Sequence, residues 1–388
     1  MRVSQPFAYD LPTHRASPLR WLMGHMRSLI FLVIDNALML LPTRRQRCGL
    51  AVILPHGMGD LLLFAPAYRD LCAHFPGQPV TVVCMPGAEP VVASYLLPSA
   101  IITADRAGLT RRPFYRIKVL RQIAKANVRF AVQPGANRSL LIEDSLIRHS
   151  RAEVRIGSQG SDMFISRRER CKGDRWYTRL LPEQRDDMHE SQRAALFMSA
   201  LTGRVTAPQI IRLSAPVRHS KAPVTPYLVA CCETSSPLKT WPLERFIQVA
   251  RQIAAERGLQ IVMAGHSMAT PVPGTVDLRG RTGIGDLIAL LAHASFVLSA
   301  ESAPSILAAA LRVPSVVVGG GGTPGRYLPF QPDFAPDAGS VLVTADPLPV
   351  CAGCGWRCRY IVPEHKPAPC VAQVSTAQVL AAARAALP

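Results

Sequence analysis

The sequence predicts an α/β protein of two domains, each organised around a parallel sheet. Three observations carry this. Short apolar runs alternate with amphipathic stretches twice over, first between residues 49 and 133 and again from Pro226 to Val318, the pattern of strands joined by helical crossovers. The 388 residues, 48% hydrophobic and only 18% charged, are enough for two cores and exclude a disordered chain. A connector at 207–226, with Pro208, Pro216, Pro223 and Pro226 and little periodicity, separates the two series.

Residues 1–48 read as a leader. Within it, Ser28 to Pro42 is strongly apolar, but Asp35 interrupts it and it is short for a membrane span. No small-residue cleavage pattern follows. It is expected to be a helix that packs on the protein or lies on a membrane surface. The first domain, 49–215, has expected strands at 49–55, 79–85 and 129–133 and helices at 61–74 and 115–127. The second, 216–350, has expected strands at 226–232, 259–264, 296–299 and 313–318 and helices at 243–257, 284–293 and 303–312. Residues 351–388 form a cysteine-rich segment and a C-terminal helix. Two such Rossmann-like halves place ligand in an interdomain cleft at the carboxyl ends of both sheets.

The net charge of +18 favours polyanionic partners. Basic residues crowd at Arg111 and Arg112, from Arg116 to Arg129, and from Arg148 to Arg175. Few aromatics interleave with them and no nucleic-acid module is recognisable, so nucleic acid is disfavoured. Six cysteines (Cys48, Cys72, Cys84, Cys171, Cys231, Cys232) are scattered in apolar segments and read as small buried hydrophobes of a reducing compartment. The other four, Cys351, Cys354, Cys358 and Cys370, lie within twenty residues. They read either as tetrahedral thiolate ligands of a structural zinc or iron ion or as a loop of reduced thiols.

Three strand-to-helix corners carry the candidate chemistry. At Gly57-Met58-Gly59-Asp60, glycine permits close approach, and Asp60 either caps the helix that follows or points a carboxylate at a ligand. In Thr234-Ser235-Ser236-Pro237-Leu238-Lys239, a cation and hydroxyls suit a diphosphate. Glu301-Ser302-Ala303-Pro304-Ser305 opens a helix whose N–H groups and dipole form an anion site; the plain alternative is capping by Ser302. The run Gly319 to Gly322 lacks the helix that a dinucleotide-binding loop requires.

Taken in order, the Gly57 to Ala67 corner, Arg155-Ile156-Gly157, Lys239-Thr240-Trp241-Pro242, Leu278 to Leu291, and Glu301 to Pro304 with Leu307 to Pro314 resemble the ADP-heptose glycosyltransferases of glycosyltransferase family 9, from about residue 49 onward. The resemblance implies a GT-B fold and an inverting sugar transfer with no catalytic metal ion. Asp60 would be the general base. Lys239, Thr234 and Ser235, with backbone groups of 302–305, would hold the donor diphosphate, and Gly57, Met58 and Gly59 would line the acceptor corner. Where the family carries Asp, Gly and His, this chain has Glu301, Ala303 and Ile306. The expected partners are a nucleotide-diphosphate sugar and an anionic glycolipid or glycan of the lipopolysaccharide type, met in the cytoplasm at the inner-membrane surface. Transfer onto an autotransporter protein, and a non-catalytic nucleotide-sugar-binding scaffold, are the competing expectations. An autotransporter-modifying branch of the family holds iron with four late cysteines, which the 351–370 cluster resembles.

Overall fold

The computed structural model describes residues 18–42, 47–161, 166–182, 185 and 187–387, so the expected leader lies partly outside it. The chain divides into two compact units, residues 14–209 and, with the undescribed first thirteen, residues 210–388.

The first unit holds a six-stranded sheet of β1 (Leu50–Leu54), β2 (Val80–Cys84), β3 (Ala100–Thr103), β4 (Phe130–Gln133), β5 (Val154–Ser158) and β6 (Arg179–Leu181). Its order is β3-β2-β1-β4-β5-β6, parallel throughout. β1 is buried along its whole length, as a strand covered on both faces must be, which is why Leu50 to Leu54 is unbroken apolar sequence. Leu50 pairs with Val80 on one side and Phe130 on the other. The chain thus leaves β1 in one direction and returns on its opposite side at β4, and the gap between their carboxyl ends is the switch point where such sheets bind ligands.

The second unit repeats the plan with β7 (Tyr227–Cys231), β8 (Gln260–Met263), β9 (Val276–Asp277), β10 (Phe296–Ala300), β11 (Ser315–Val318) and β12 (Ser340–Val343). The order is β12-β11-β10-β7-β8-β9, again parallel, with its switch point between β7 and β10. Helix Thr376–Ala386 packs on helix Leu243–Arg257, and Val371, Val374, Val379 and Ala383 are part of this unit's core. Trp241, fully buried, donates its indole N–H to the Val374 carbonyl at 2.9 Å, tying the tail to the first crossover.

Helix Pro18–Met39 packs on the first unit, and Asp35 explains how. Its carboxylate and the Arg116 guanidinium are both fully buried, joined through Nε at 2.7 Å and Nη2 at 2.5 Å. Arg116 also donates to the Leu109 and Leu141 carbonyls, and Ser145 Oγ donates to Asp35. Two charges removed from water in this way need every remaining donor satisfied, and here the neighbours supply acceptors. Arg116 is therefore not free for an external anion. Arg151 and Arg155 are likewise occupied with carbonyls, Arg151 with Leu38 and Leu41 and Arg155 with Trp176 and Ala152. Part of the basic clustering seen in the sequence is internal scaffolding. The cysteine reading also needs correction: Cys84, Cys231 and Cys232 are buried and Cys72 half-buried, but Cys48 and Cys171 are exposed, since they sit in a loop before β1 and on the outer side of a polar helix.

Candidate functional site

At the first switch point the helix begins at Met58, three residues earlier than the sequence suggests, and runs to His74. Asp60 consequently occupies its third position, where Oδ2 accepts the Gly57 N–H at 3.1 Å. Gly57 has an ordinary extended backbone, φ −63° and ψ 160°. Its lack of a side chain matters for space, since a Cβ there would come 3.3 Å from the Asp60 carboxylate. Met58 is buried beneath the corner, and Gly59 and Asp60 are half-buried.

Three residues join Asp60 that sequence reasoning passes over. Arg106, opening the helix Arg106–Arg111 after β3, is ion-paired to the fully buried Glu143. Glu143 also accepts the Ser139 N–H at 2.8 Å and lies 3.4 Å from His56 Nε2. His56 Nε2 in turn stands 2.6 Å from the Asn137 carbonyl. Burial draws the Arg106 guanidinium below its ordinary value, and the nearby Asp60 charge opposes that shift. A carboxylate at the head of a helix thus has a cation beside it that is itself held by a buried acid. The signals were present but faint: His56 stands within the glycine corner, whereas Arg106 and Glu143 sit next to elements without strong periodicity.

At the second switch point, β7 ends at Cys231; Glu233 lies two residues beyond it, and the Thr234 to Thr240 corner follows. Thr234 Oγ1 donates to the Ser236 carbonyl at 2.6 Å and stands 2.9 Å from Thr240 Oγ1, so this hydroxyl organises the turn. Ser235 is exposed on it. Lys239 closes the short helix Pro237–Lys239, its ammonium 4.9 Å from the centre of the Trp356 ring. Glu233 accepts the N–H groups of His266 (2.6 Å) and Ser267 (3.0 Å), fastening the loop after β8 to the corner.

Glu301 follows β10, and its carboxylate accepts the Gly320 N–H while facing the Lys239 charge. Burial nonetheless prevails and lifts it to about 7. Helix Ala303–Leu311 begins beyond it, and Ser302 occupies the N-cap position without a side-chain cap, its hydroxyl turned to the Ala300 carbonyl at 3.3 Å. The Ser302 side chain thus caps none of the first-turn N–H groups; Ser305 donates its N–H to the Ser302 carbonyl at 3.1 Å, and Pro304 has no N–H to satisfy. Such a terminus favours an anion.

The Glu301 value has a thermodynamic consequence. A carboxyl whose folded value lies above the unfolded 4.5 binds its proton more tightly when folded, so its contribution is complete below 4.5 and is lost as pH rises through about 7. Relative to Glu301→Gln, wild type is expected to lose roughly 2–5 °C of Tm between pH 5 and pH 8. Parallel pH profiles of Tm for the two proteins would refute this assignment.

Cys351, Cys354, Cys358 and Cys370 line one small cavity of about 10 Å³, with Trp356 in its wall. All four are free cysteines, and burial raises Cys354 and Cys370 above the ordinary thiol value. Among the described residues no three His, Cys, Asp or Glu side chains stand close enough to hold one metal ion. The donor chemistry suits zinc or iron, but the spacing of these thiols does not, and no metal centre is assigned.

Residues 181–335 match the model of glycosyltransferase family 9 (heptosyltransferase). No curated protein matches the chain. Among solved structures, a family 9 glycosyl transferase from Veillonella parvula aligns with a TM-score of 0.62 at 18% identity, covering 89% of this chain and 99% of that one. The E. coli heptosyltransferase WaaC with ADP-2-deoxy-2-fluoro heptose aligns with a TM-score of 0.58 at 18% identity, covering 85% and 97%. The iron-containing dodecameric glycosyltransferase TibC of enterotoxigenic E. coli aligns with a TM-score of 0.52 at 15% identity, covering 89% and 77%. The α/β fold of two parallel six-stranded sheets is that of the heptosyltransferase structures.

Proposed function

From a chain that carries a glycosyltransferase family 9 domain, we infer an inverting transfer of a heptose-like sugar from an ADP-sugar to a cell-surface glycan acceptor of the lipopolysaccharide type. The observation that carries this reading is the pairing of chemistry with topology: each sheet presents its candidate residues at its own switch point, an acid with an adjacent cation on the first, a cation and a helix start without a side-chain cap on the second.

In this reading the acceptor hydroxyl attacks the anomeric carbon as the bond from that carbon to the diphosphate oxygen breaks. The hydroxyl proton passes to Asp60. The bonding electrons leave with ADP, whose growing charge meets Lys239 and the N–H groups of Ser302 and Ala303. The donor class is supported by WaaC, which was solved with an ADP-heptose analogue. The test is incubation of pure protein with labelled ADP-heptose and either a lipid-linked saccharide or a protein acceptor. Label in the saccharide supports the reading, label in protein transfers it to a protein acceptor, and ADP-heptose binding without turnover marks a non-catalytic homologue.

We further propose that the chain works at the cytoplasmic face of an anionic inner membrane. The support is helix Pro18–Met39: with Phe31 and Asp35 turned inward, its outer face shows Met26, Leu29, Ile30 and Val33, each more than half exposed. Arg27 is exposed beside them, and the neighbouring helix Pro113–Lys125 exposes Phe114, Lys118, Arg121 and Lys125. No described helix is long and apolar enough to cross a membrane. An apolar stripe with basic flanks suits the surface of acidic lipid. Flotation with phosphatidylglycerol vesicles is expected for wild type and lost on Ile30→Glu with Val33→Glu; sedimentation of wild type away from those vesicles would dismiss the surface role.

A further inference from the structure

The cysteine-bearing turn reaches the donor corner through one side chain. Trp356 projects from the middle of Cys354-Gly355-Trp356-Arg357-Cys358 onto two separate segments. Its ring is the face against which the Lys239 ammonium rests at 4.9 Å. On another side it is bedded in the glycine run after β11, where a Cβ on Gly322 would come within 2.3 Å of the indole and one on Gly320 within 2.9 Å. The turn is pinned there by backbone bonds of 2.8 Å from Gly353 N–H to the Gly321 carbonyl and from Gly355 N–H to the Gly322 carbonyl. In the run that superficially suggests a dinucleotide loop, Gly320 and Gly322 leave the space that the indole occupies.

Two costs show that the position is imposed by its surroundings. Trp356 has φ +62°, a left-handed backbone that a bulky aromatic seldom adopts. Its Nε1–H is buried with no acceptor among the described residues. Such departures persist where the surrounding structure over-determines them, and they concentrate at functional sites. The same Lys239 faces Glu301 on the other strand end, so the ammonium is located by an indole face and a carboxyl group.

We propose that Trp356 is a positioning residue for donor binding: delivered by the cysteine-bearing turn, its ring holds the Lys239 ammonium where the diphosphate of the nucleotide sugar is received. This rests on the donor-binding reading of Lys239. Without the ring, the flexible lysine stem is free to leave that position, so the donor binds more weakly while the chemical step of bound substrate changes less.

The test is ADP binding by calorimetry together with KM and kcat for ADP-heptose, in wild type, Trp356→Met, Trp356→Phe, Lys239→Met and the double variant Trp356→Met/Lys239→Met. Trp356→Met fills the bed without an aromatic face and is expected to raise the ADP Kd and the donor KM about tenfold, with kcat altered less than about threefold. Trp356→Phe stays within about threefold of wild type. In the Lys239→Met background the Trp356→Met change has no further effect, which a purely structural role would not produce. Gly322→Ala, whose methyl displaces the indole, should reproduce the Trp356→Met effect and decides the matter where that variant does not fold. Equal Trp356→Met effects with and without Lys239, or unchanged Kd in folded Trp356→Met and Gly322→Ala, overturn the proposal. A wild type that neither binds ADP nor turns over ADP-heptose overturns the donor reading itself, and the proposal with it.

Discussion

Asp60→Asn is expected to slow transfer from ADP-heptose by about 100- to 10,000-fold while leaving ADP affinity unchanged. The substitution is nearly isosteric, and the amide oxygen can still accept the Gly57 N–H that Asp60 accepts at 3.1 Å, so the helix start survives. What is lost is the ability to take a proton from the acceptor hydroxyl as it attacks. The neighbouring Arg106 also loses its opposing charge, but Glu143 continues to hold it. The effect should therefore fall on kcat rather than on folding or donor binding. Turnover of Asp60→Asn within tenfold of wild type, in protein of unchanged Tm, would remove Asp60 from the reaction.

Lys239→Met is expected to lower kcat/KM for ADP-heptose by about 100- to 1,000-fold, the scale for deleting one group that meets developing charge on a leaving group. Methionine keeps an unbranched stem against the Trp356 ring, so the loss isolates the ammonium. Unlike Asp60→Asn, it should also weaken ADP itself, because the product carries the same diphosphate. A Lys239→Met enzyme whose ADP Kd and kcat/KM both lie within threefold of wild type would exclude the lysine from the diphosphate site. The two variants together separate a base from a donor contact, since only one of them touches product affinity.

The candidate residues differ in how plainly the sequence shows them. Asp60, Lys239 and Glu301 stand in the corners that follow the fully buried strands β1, β7 and β10, and such buried central strands are the most legible elements of a chain. Edge strands leave little trace. β3 is half-exposed and only four residues long, β6 has three residues and β9 two, so none forms a long apolar run, and Arg106, which follows β3, is passed over with it. Arg116 illustrates the converse: in sequence it is one member of a basic cluster, and only the fold shows that Asp35, 81 residues earlier, holds it.

The sequence by itself determined two parallel-sheet halves and the three corners where acid, cation and helix terminus stand, because burial periodicity and turn chemistry are local properties. Tertiary structure alone decided that Arg106, Glu143 and His56 surround Asp60, and that Lys239, Glu301, Trp356 and the glycine run meet at one place. Those residues are separated by tens to more than a hundred positions. Their meeting follows from strand order and from where the chain reverses across each sheet, which no spacing along the chain encodes.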